Sequence, residues 1–358
     1  MILWSAGSNA QGQLATRNQE DSHEFKQAFF DIDGMTQTTA PGRVLQIACG
    51  ANHTLALLRN SSDSSLSLWG AGDGSKGQLG IGTDVSQGTQ CFKPLVLTRE
   101  MAPSSADEIR IIQASWETSF VVLRSHTRDR ILSFGSNDFG LLGTGDNTLT
   151  PSAPTVNEVR LDHLVPHSAA FLRVAYLKAG PRHVLAILRY ANDGTERDML
   201  VGWGAGRHGQ LELRSPDTFV DNDKKPNGPQ RVPLPLRIMV WMPPVSVVDM
   251  SVGYQHALLL LSDGSMAKLG SDAKSQMPSG SDLPQERYSR IRCSWNNSYA
   301  AFGDSESLLL IRSYGRNAHG QLGRAEGGSE VNFPSSLKIR DIVCGSEHCL
   351  VMATDGDS

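Results

Sequence analysis

"SYGRNAHGQLG" at Ser313–Gly323 repeats, almost letter for letter, "SAGSNAQGQLA" at Ser5–Ala15. Two halves of one site would leave the intervening chain free of such copies. Instead the pattern returns as "GAGDGSKGQLG" from Gly70, "SFGSNDFGLLG" from Ser133 and "GWGAGRHGQLE" from Gly202. A decayed copy, "KLGSDAKSQMP", begins at Lys268. The leading glycines are Gly7, Gly72, Gly135, Gly204, Gly270 and Gly315, with steps of 65, 63, 69, 66 and 45 residues. Periodic copies of this size mark a repeat architecture.

A second element alternates with the first. "IACGANHTLALL" from Ile47 matches "LKAGPRHVLAIL" from Leu177, "MSVGYQHALLLL" from Met250 and "IVCGSEHCLVMA" from Ile342. "IQASWETSFVVL" from Ile112 and "IRCSWNNSYAAF" from Ile291 are variants of it. Each element reads as strand and turn. Short apolar runs such as "LSLWG" enter glycine-rich turns, where positive φ is available without steric cost. A second apolar strand, such as "HALLLLSDG", then runs through Asp-Gly into the next copy. Every copy is therefore about four strands, and the chain reads as one domain over residues 1–358.

Four-stranded units in series predict an all-β fold of β-propeller type, with four-stranded antiparallel blades. The rival is a linear solenoid, which leaves its end strands open, whereas a ring protects its edges. "MILWSAG" reads as the last strand of a unit and "HCLVMATDG" as a third. Joining them completes one unit, so the ring is expected to close by pairing residues after Met1 with those near Val351.

The composition is that of an ordinary folded chain, 39% hydrophobic and 20% charged. A net charge of −4, with only Lys224-Lys225 as a basic step, argues against direct nucleic-acid binding. Five cysteines form no C-x-x-C pair and leave an odd count, which fits a reducing compartment. "MILWSAGSNA" lacks the features of a signal peptide, and "IMVWMPPVSVV" is too short to span a bilayer. A cytoplasmic location, or one shared with the nucleus, is expected, with no membrane partner.

The repeats resemble those of the regulator of chromosome condensation family, which read apolar-x-W-G-x-N-x-x-G-Q-L-G and then A-C-G-x-x-H. The resemblance spans the whole chain and implies a propeller, usually of seven blades in that family. Only six copies can be counted here, so six or seven remain open. Three further features resemble the fungal alpha-tubulin suppressor branch of the family. Trp116 and Trp295 stand in place of the motif glycine in the second and fifth copies, the sixth copy reads "SYGRNAHGQLG…CGSEH", and the chain is compact. That branch implies a non-catalytic scaffold for a small zinc-binding, electron-carrying protein of diphthamide synthesis. It also implies an accessory role in Elongator-dependent modification of wobble uridines in transfer RNA. The founding member implies an alternative, a guanine-nucleotide exchange factor for a Ran-like small GTPase. Its third-blade wedge corresponds here to the short turn "SFGSNDFGLLGTGDN", and its basic tail has no counterpart.

No catalytic, cofactor or metal site is expected. His53, His183, His256 and His348 recur at one repeat position, as turn histidines that bond neighbouring backbone would. Cys344, His348 and Cys349 have a ligand-like spacing, but Cys49 shares the repeat position of Cys344, so strand packing accounts for them. Gln13, Gln78, Gln210, Gln276 and Gln321 also share one position and are expected to tie neighbouring blades. No nucleophile elbow or H-E-x-x-H is present. Trp116 and Trp295 are the candidate partner-binding residues, since exposed tryptophans anchor interfaces. The plainer reading is that each fills a gap in its own degenerate repeat. Thr16–Thr39, Ser86–Ala106 and Arg214–Leu236 read as the longest irregular stretches, and the third as a projecting loop.

Overall fold

A computed structural model describes residues 1–80, 87–97, 107–146, 155–212, 231–278, 288–303, 308–324, 328–334 and 337–355. The chain opens with β1 (Trp4–Gly7), β2 (Ser22–Gln27), β3 (Phe30–Ile32) and β4 (Met35–Gln37). The first full unit is β5 (Gly42–Cys49), β6 (His53–Asn60), β7 (Leu66–Gly72) and β8 (Thr89–Pro94). The second is β9 (Glu108–Ala114), β10 (Thr118–Arg124), β11 (Arg130–Gly135) and β12 (Val156–Glu158). The third is β13 (Phe171–Ala179), β14 (His183–Asn192), β15 (Thr195–Gly204) and β16 (Val232–Trp241). The fourth is described as β17 (Val247–Val252), β18 (His256–Leu261) and β19 (Met266–Gly270). The fifth is β20 (Tyr288–Cys293), β21 (Asn297–Gly303), β22 (Leu308–Gly315) and β23 (Glu330–Val331). The last hairpin is β24 (Leu337–Cys344) and β25 (Cys349–Asp355).

Within each unit the strands pair antiparallel in sequence order, as β9 to β12 and β13 to β16 do. This is an all-β propeller. Each strand's burial follows from its place in the unit. β18, "HALLLL", is buried along its whole length because it lies between two strands and two neighbouring units. β5 alternates, sending Leu45, Ile47 and Cys49 out to the channel. β16 carries Pro233 and Pro235, which a ladder tolerates only at its outer edge.

The apolar core lies between units rather than within them. One cluster joins Leu55 and Leu57 of the first unit to Val121 and Phe134 of the second. Others join Phe120 to Trp203, Ile187 to Leu259, Leu258 to Ile291, and Tyr299 to Ile342, stepping from each unit to the next. Each fully buried aliphatic side chain stabilises by about 1.5–3 kcal/mol, so a unit without its neighbour loses most of its support. Carboxylates reinforce the joints. Buried Asp129 accepts from Val174 N (3.0 Å) and Arg173 (3.1 Å), linking the second and third units. Asp198 holds Arg189 through two bonds and accepts from Val247 N (3.2 Å) of the fourth.

Three expectations are corrected. The segment Thr16–Thr39 is not irregular, since it contains β2, β3 and β4; of Ser86–Ala106, residues 86 and 98–106 lie outside the described residues and the rest contains β8. Outer strands are half-exposed and interrupted by polar residues and proline, so they carry no strong alternation. Of Arg214–Leu236, residues 214–230, with Lys224 and Lys225, lie outside the described residues, and the remainder enters β16. The unit frame also shifts: "MILWSAG" corresponds to a third strand, with β2 as its fourth, and "HCLVMATDG" to a second.

The third correction concerns closure. The expected pairing of the N-terminal strand with the last hairpin is absent among the described residues. β1 pairs with β2, Ile2 bridges Thr39, and β25 pairs with β24. The last hairpin attaches to the fifth unit instead. Among the described residues β23 meets β22 at Ile311 and Arg312, and Ile339 of β24 bridges Leu308 further along the same edge. That bridge ties the last hairpin to the fifth unit. Trp4 (53% exposed) and Leu350 (61% exposed) consequently stand in solvent on the two sides of the seam.

Candidate functional site

In each unit the turn between the first and second strands points to the channel mouth. The tips are Ala51, Trp116, Pro181, Tyr254, Trp295 and Ser346. The tips bond to one another through main chain: Ala51 N donates to Trp116 O (2.9 Å), Tyr254 N to Trp295 O (3.0 Å), and Trp295 N to Ser346 O (3.0 Å). Ser115 Oγ makes the step to the third unit, donating to Gly180 O (2.7 Å). Behind the tips lies a cavity of about 530 Å³, lined from all six hairpins by residues such as Cys49, Ser115, Gly180, Val252, Cys293 and Cys344.

Strand register corrects the reading of the tryptophans. Cys49 pairs with Thr54, Ala114 with Ser119 and Cys293 with Ser298. Ser115 and Ser294 therefore stand at the motif glycine, and Trp116 and Trp295 one residue later, at the tip. The reason is local. A Cβ at Gly50 or Gly253 would overlap the ring of His53 or His256. In the second and fifth units the histidine is replaced by Thr118 and Asn297, which leave room for serine.

The structure brings the two candidate residues together. Trp116 and Trp295 belong to units on opposite sides of the mouth, yet their rings lie 5.8 Å apart at 31°. Tyr254 packs on Trp295 at 5.9 Å. The Arg182 guanidinium is sandwiched between Phe139 (5.1 Å) and Tyr254 (5.2 Å), within cation–π range. Trp116 is 45% exposed and Trp295 half-buried, so the pair spans the mouth with one face in solvent. Beside it a cleft of about 270 Å³ is lined by Trp116, Glu117, Asp138, Phe139 and Arg182. Burial raises the Glu117 carboxyl above its usual range; Lys76 opposes this, while Asp138 and Asp73 add to it. Tyr254, Arg182 and Phe139 were missed in the sequence. Aligning the copies at the tip position would have revealed Tyr254, which occupies the same place as both tryptophans.

Of the other singled-out residues, His53 and His256 join neighbouring units. His53 Nε2 lies 2.9 Å from Ser119 Oγ of the next unit, and His256 Nε2 lies 2.9 Å from Ser298 Oγ. Ser119 Oγ gives its proton to Gln78 O (2.7 Å), so His53 is the donor and is held neutral as the Nε2–H tautomer. Burial lowers the pKa of His53 and His256 to about 4 and of His183 to about 3. Each of these histidines is buried in a different interface, whereas His348 is exposed beside the seam. The glutamines act within their own turns: Gln13, Gln78, Gln210, Gln276 and Gln321 each accept from the backbone N–H two residues earlier. Their carbonyls reach the next unit where a hydroxyl faces them, as Thr54 Oγ does to Gln13 O (2.9 Å).

Inside the channel, Arg292 joins three units. It pairs with Asp249 at 3.0 Å and lies 3.6 Å from Asp341. Among the described residues no group of three His, Cys, Asp or Glu side chains is placed to hold a metal ion.

The regulator of chromosome condensation (RCC1) repeat model matches residues 2–57 and 313–352, and a second model of that repeat matches residues 44–78. The chain is 25% identical, over 98% of its length, to the ultraviolet-B receptor UVR8 of Arabidopsis thaliana, covering 70% of that protein. It is 29% identical, over 59% of its length, to the RCC1 repeat-containing protein C10F6.04 of Schizosaccharomyces pombe, covering 50% of it. It is 24% identical, over 99% of its length, to the secretion-regulating guanine nucleotide exchange factor of Mus musculus, covering 72% of it. Among solved structures, Prp20p of Saccharomyces cerevisiae superposes with a TM-score of 0.53 at 14% identity, covering 99% of this chain and 91% of that one. A likeness at that identity speaks for the fold alone. Together with the repeat spacing and the inter-unit cores, these matches show that residues 2–78 and 313–352 carry repeats of the regulator of chromosome condensation kind and that the chain is similar to proteins built from them.

Proposed function

We propose that this chain is a non-catalytic docking propeller that receives a protein partner on Trp116 and Trp295. The observation that carries this reading is their meeting across the channel mouth, 5.8 Å apart, with Trp116 left 45% exposed. Packing alone would bury both rings. Aromatic residues fixed by main-chain bonds and open on one face are the usual anchors of protein interfaces. The partner suggested by the branch resemblance is a small zinc-binding, electron-carrying protein. The role that follows is accessory to diphthamide synthesis and to Elongator-dependent wobble-uridine modification, in the cytoplasm and also the nucleus.

The test is affinity purification of the intact protein beside its Trp116→Ala/Trp295→Ala variant. The wild type is expected to recover the small zinc protein. The variant is expected to lose at least about 2 kcal/mol of binding, some 30-fold in Kd, with its fold unchanged by circular dichroism. Undiminished binding by the folded variant would refute the site.

A second reading is exchange activity on a small GTPase. It is supported by the name of the mouse relative and by the likeness to Prp20p, whose structure was described together with its binding to Gsp1p and histones. Against it stands the turn after β11, where Asp138–Gly140 forms a single 3-10 turn and Phe139 packs on Arg182. Accelerated nucleotide release from a Ran-like GTPase would decide for the second reading.

A further inference from the structure

The turn of the last hairpin carries two thiols where the other hairpins carry at most one. The paired positions are Cys49 with Thr54, Ala114 with Ser119, Ala179 with Val184, Val252 with Ala257, Cys293 with Ser298, and Cys344 with Cys349. Only in the last do sulfur atoms face each other, with Cys344 Sγ donating to Cys349 Sγ at 3.7 Å. Gly345 N donates to His348 O (3.0 Å), which makes residues 345 and 348 the hydrogen-bonded pair. By the alternation of an antiparallel ladder, Cys344 and Cys349 are then a non-hydrogen-bonded pair, whose Cα atoms approach to about 4.5 Å. That separation lies inside the range a disulfide spans, about 4.4–6.8 Å.

Both sulfurs can be reached. Cys344 lines the central cavity, and Cys349 lines a separate cleft of about 250 Å³ beside Tyr299, His348 and Val351. The bond from Cys344 holds the Cys349 thiol below its ordinary range, against burial, while Cys344 itself is pushed up. Cys349, which accepts that bond and lines the cleft beside Tyr299, is the nucleophile of the pair, and Cys344, which donates it, is the resolving thiol. Cys293, by contrast, is buried opposite a serine and its thiol is pushed up to about 11, chiefly by burial.

We propose that Cys344 and Cys349 form a reversible oxidation site that closes to a disulfide on reaction with a hydroperoxide. The Cys349 thiolate attacks the peroxide O–O bond, giving a sulfenic acid and releasing the alcohol or water. The Cys344 thiol then attacks the sulfenic sulfur, forming S–S and expelling a second water; the two sulfurs together lose two electrons and two protons. The staple would fix the turn whose tip, Ser346, accepts from Trp295 N at the channel mouth. The site stands on its own geometry and does not depend on the docking role proposed above.

Glu347 lies between the two cysteines and permits a direct test. The purified protein is treated with hydrogen peroxide, its remaining thiols are alkylated, and it is cleaved after glutamate without reduction. The expected result is that the fragments bearing Cys344 and Cys349 stay joined, part on adding dithiothreitol, and form while Cys293 is still alkylatable. The substitution Cys349→Thr copies the Cys49–Thr54 pair, and Cys344→Ala introduces the residue that Ala114 and Ala179 supply at the same place, so each introduced residue is one the fold already carries there. Either variant is expected to leave its surviving thiol free of any disulfide. Separate fragments under peroxide that fully oxidises free dithiothreitol, or a link from either cysteine to Cys293 or Cys49, would overturn the proposal.

Discussion

The first and last hairpins share a sequence pattern, "CGANH" and "CGSEH", but not a fate. In the first, His53 is buried and bonds Ser119 of the unit seated beside it. In the last, the unit beyond is represented by β1 and β2, which do not pair with β25, and His348 stays exposed. The repeat pattern therefore specifies a hairpin by itself and an interface only when the next unit is seated. Glycines tell the same story. Gly204 has φ +99°, and an added Cβ would sit 2.6 Å from Arg182 O; Gly7 has φ +116° with nothing within 4 Å.

The largest test of this contrast uses those two glycines. Gly204→Ala combines left-handed strain with backbone overlap and is expected to cost about 3 kcal/mol or more in urea unfolding. Gly7→Ala has only the strain and should cost about 1 kcal/mol. Equal losses would mean that β1 is seated in solution as firmly as β15.

The histidines sharpen the comparison. His256→Ala removes a buried ring and leaves Ser298 without that hydrogen-bond partner, so a loss of about 2–3 kcal/mol is expected. His348→Ala, at an exposed position, should stay within about 0.5 kcal/mol of wild type. A large loss at His348 would show that the seam closes and buries it.

A smaller effect is the response to acid. His53, His183 and His256 are held neutral, with pKa values of about 4, 3 and 4 against 6.5 for an unburied histidine. Between those values and 6.5 the unfolded chain binds more protons than the folded one, so stability rises with pH there and falls as pH drops below 6.5. Each such histidine contributes a slope of up to about 1.4 kcal/mol per pH unit. His256→Ala should flatten the slope measured from pH 6 to 5 by about one proton, whereas His348→Ala should leave it unchanged.

Much of the fold was legible because the repeats carry it. The leading glycines mark the ends of third strands, and the motif histidines mark the starts of second strands, as at His53 and Gly72, which pair directly. The fourth strands were not legible: β16 is an edge strand broken by prolines, and β8 ends in one and pairs not only with β7 but also with β3, far away in sequence. Trp116 and Trp295 were found but placed one residue early, because the serines at the glycine position look like part of the variant motif. That they meet could not be read at all. They are 179 positions apart in the chain, and only the curvature of the ring sets units on opposite sides face to face.

The tips at the mouth are joined by peptide groups, and Pro181, which has no N–H to give, is reached instead by the Ser115 hydroxyl at 3.1 Å. Side chains at these positions are thereby released from any duty to the wheel. Alanine, tryptophan, proline, tyrosine and serine already occupy equivalent places in one molecule, so the hub can exchange its recognition chemistry spoke by spoke while the frame that presents it stays the same.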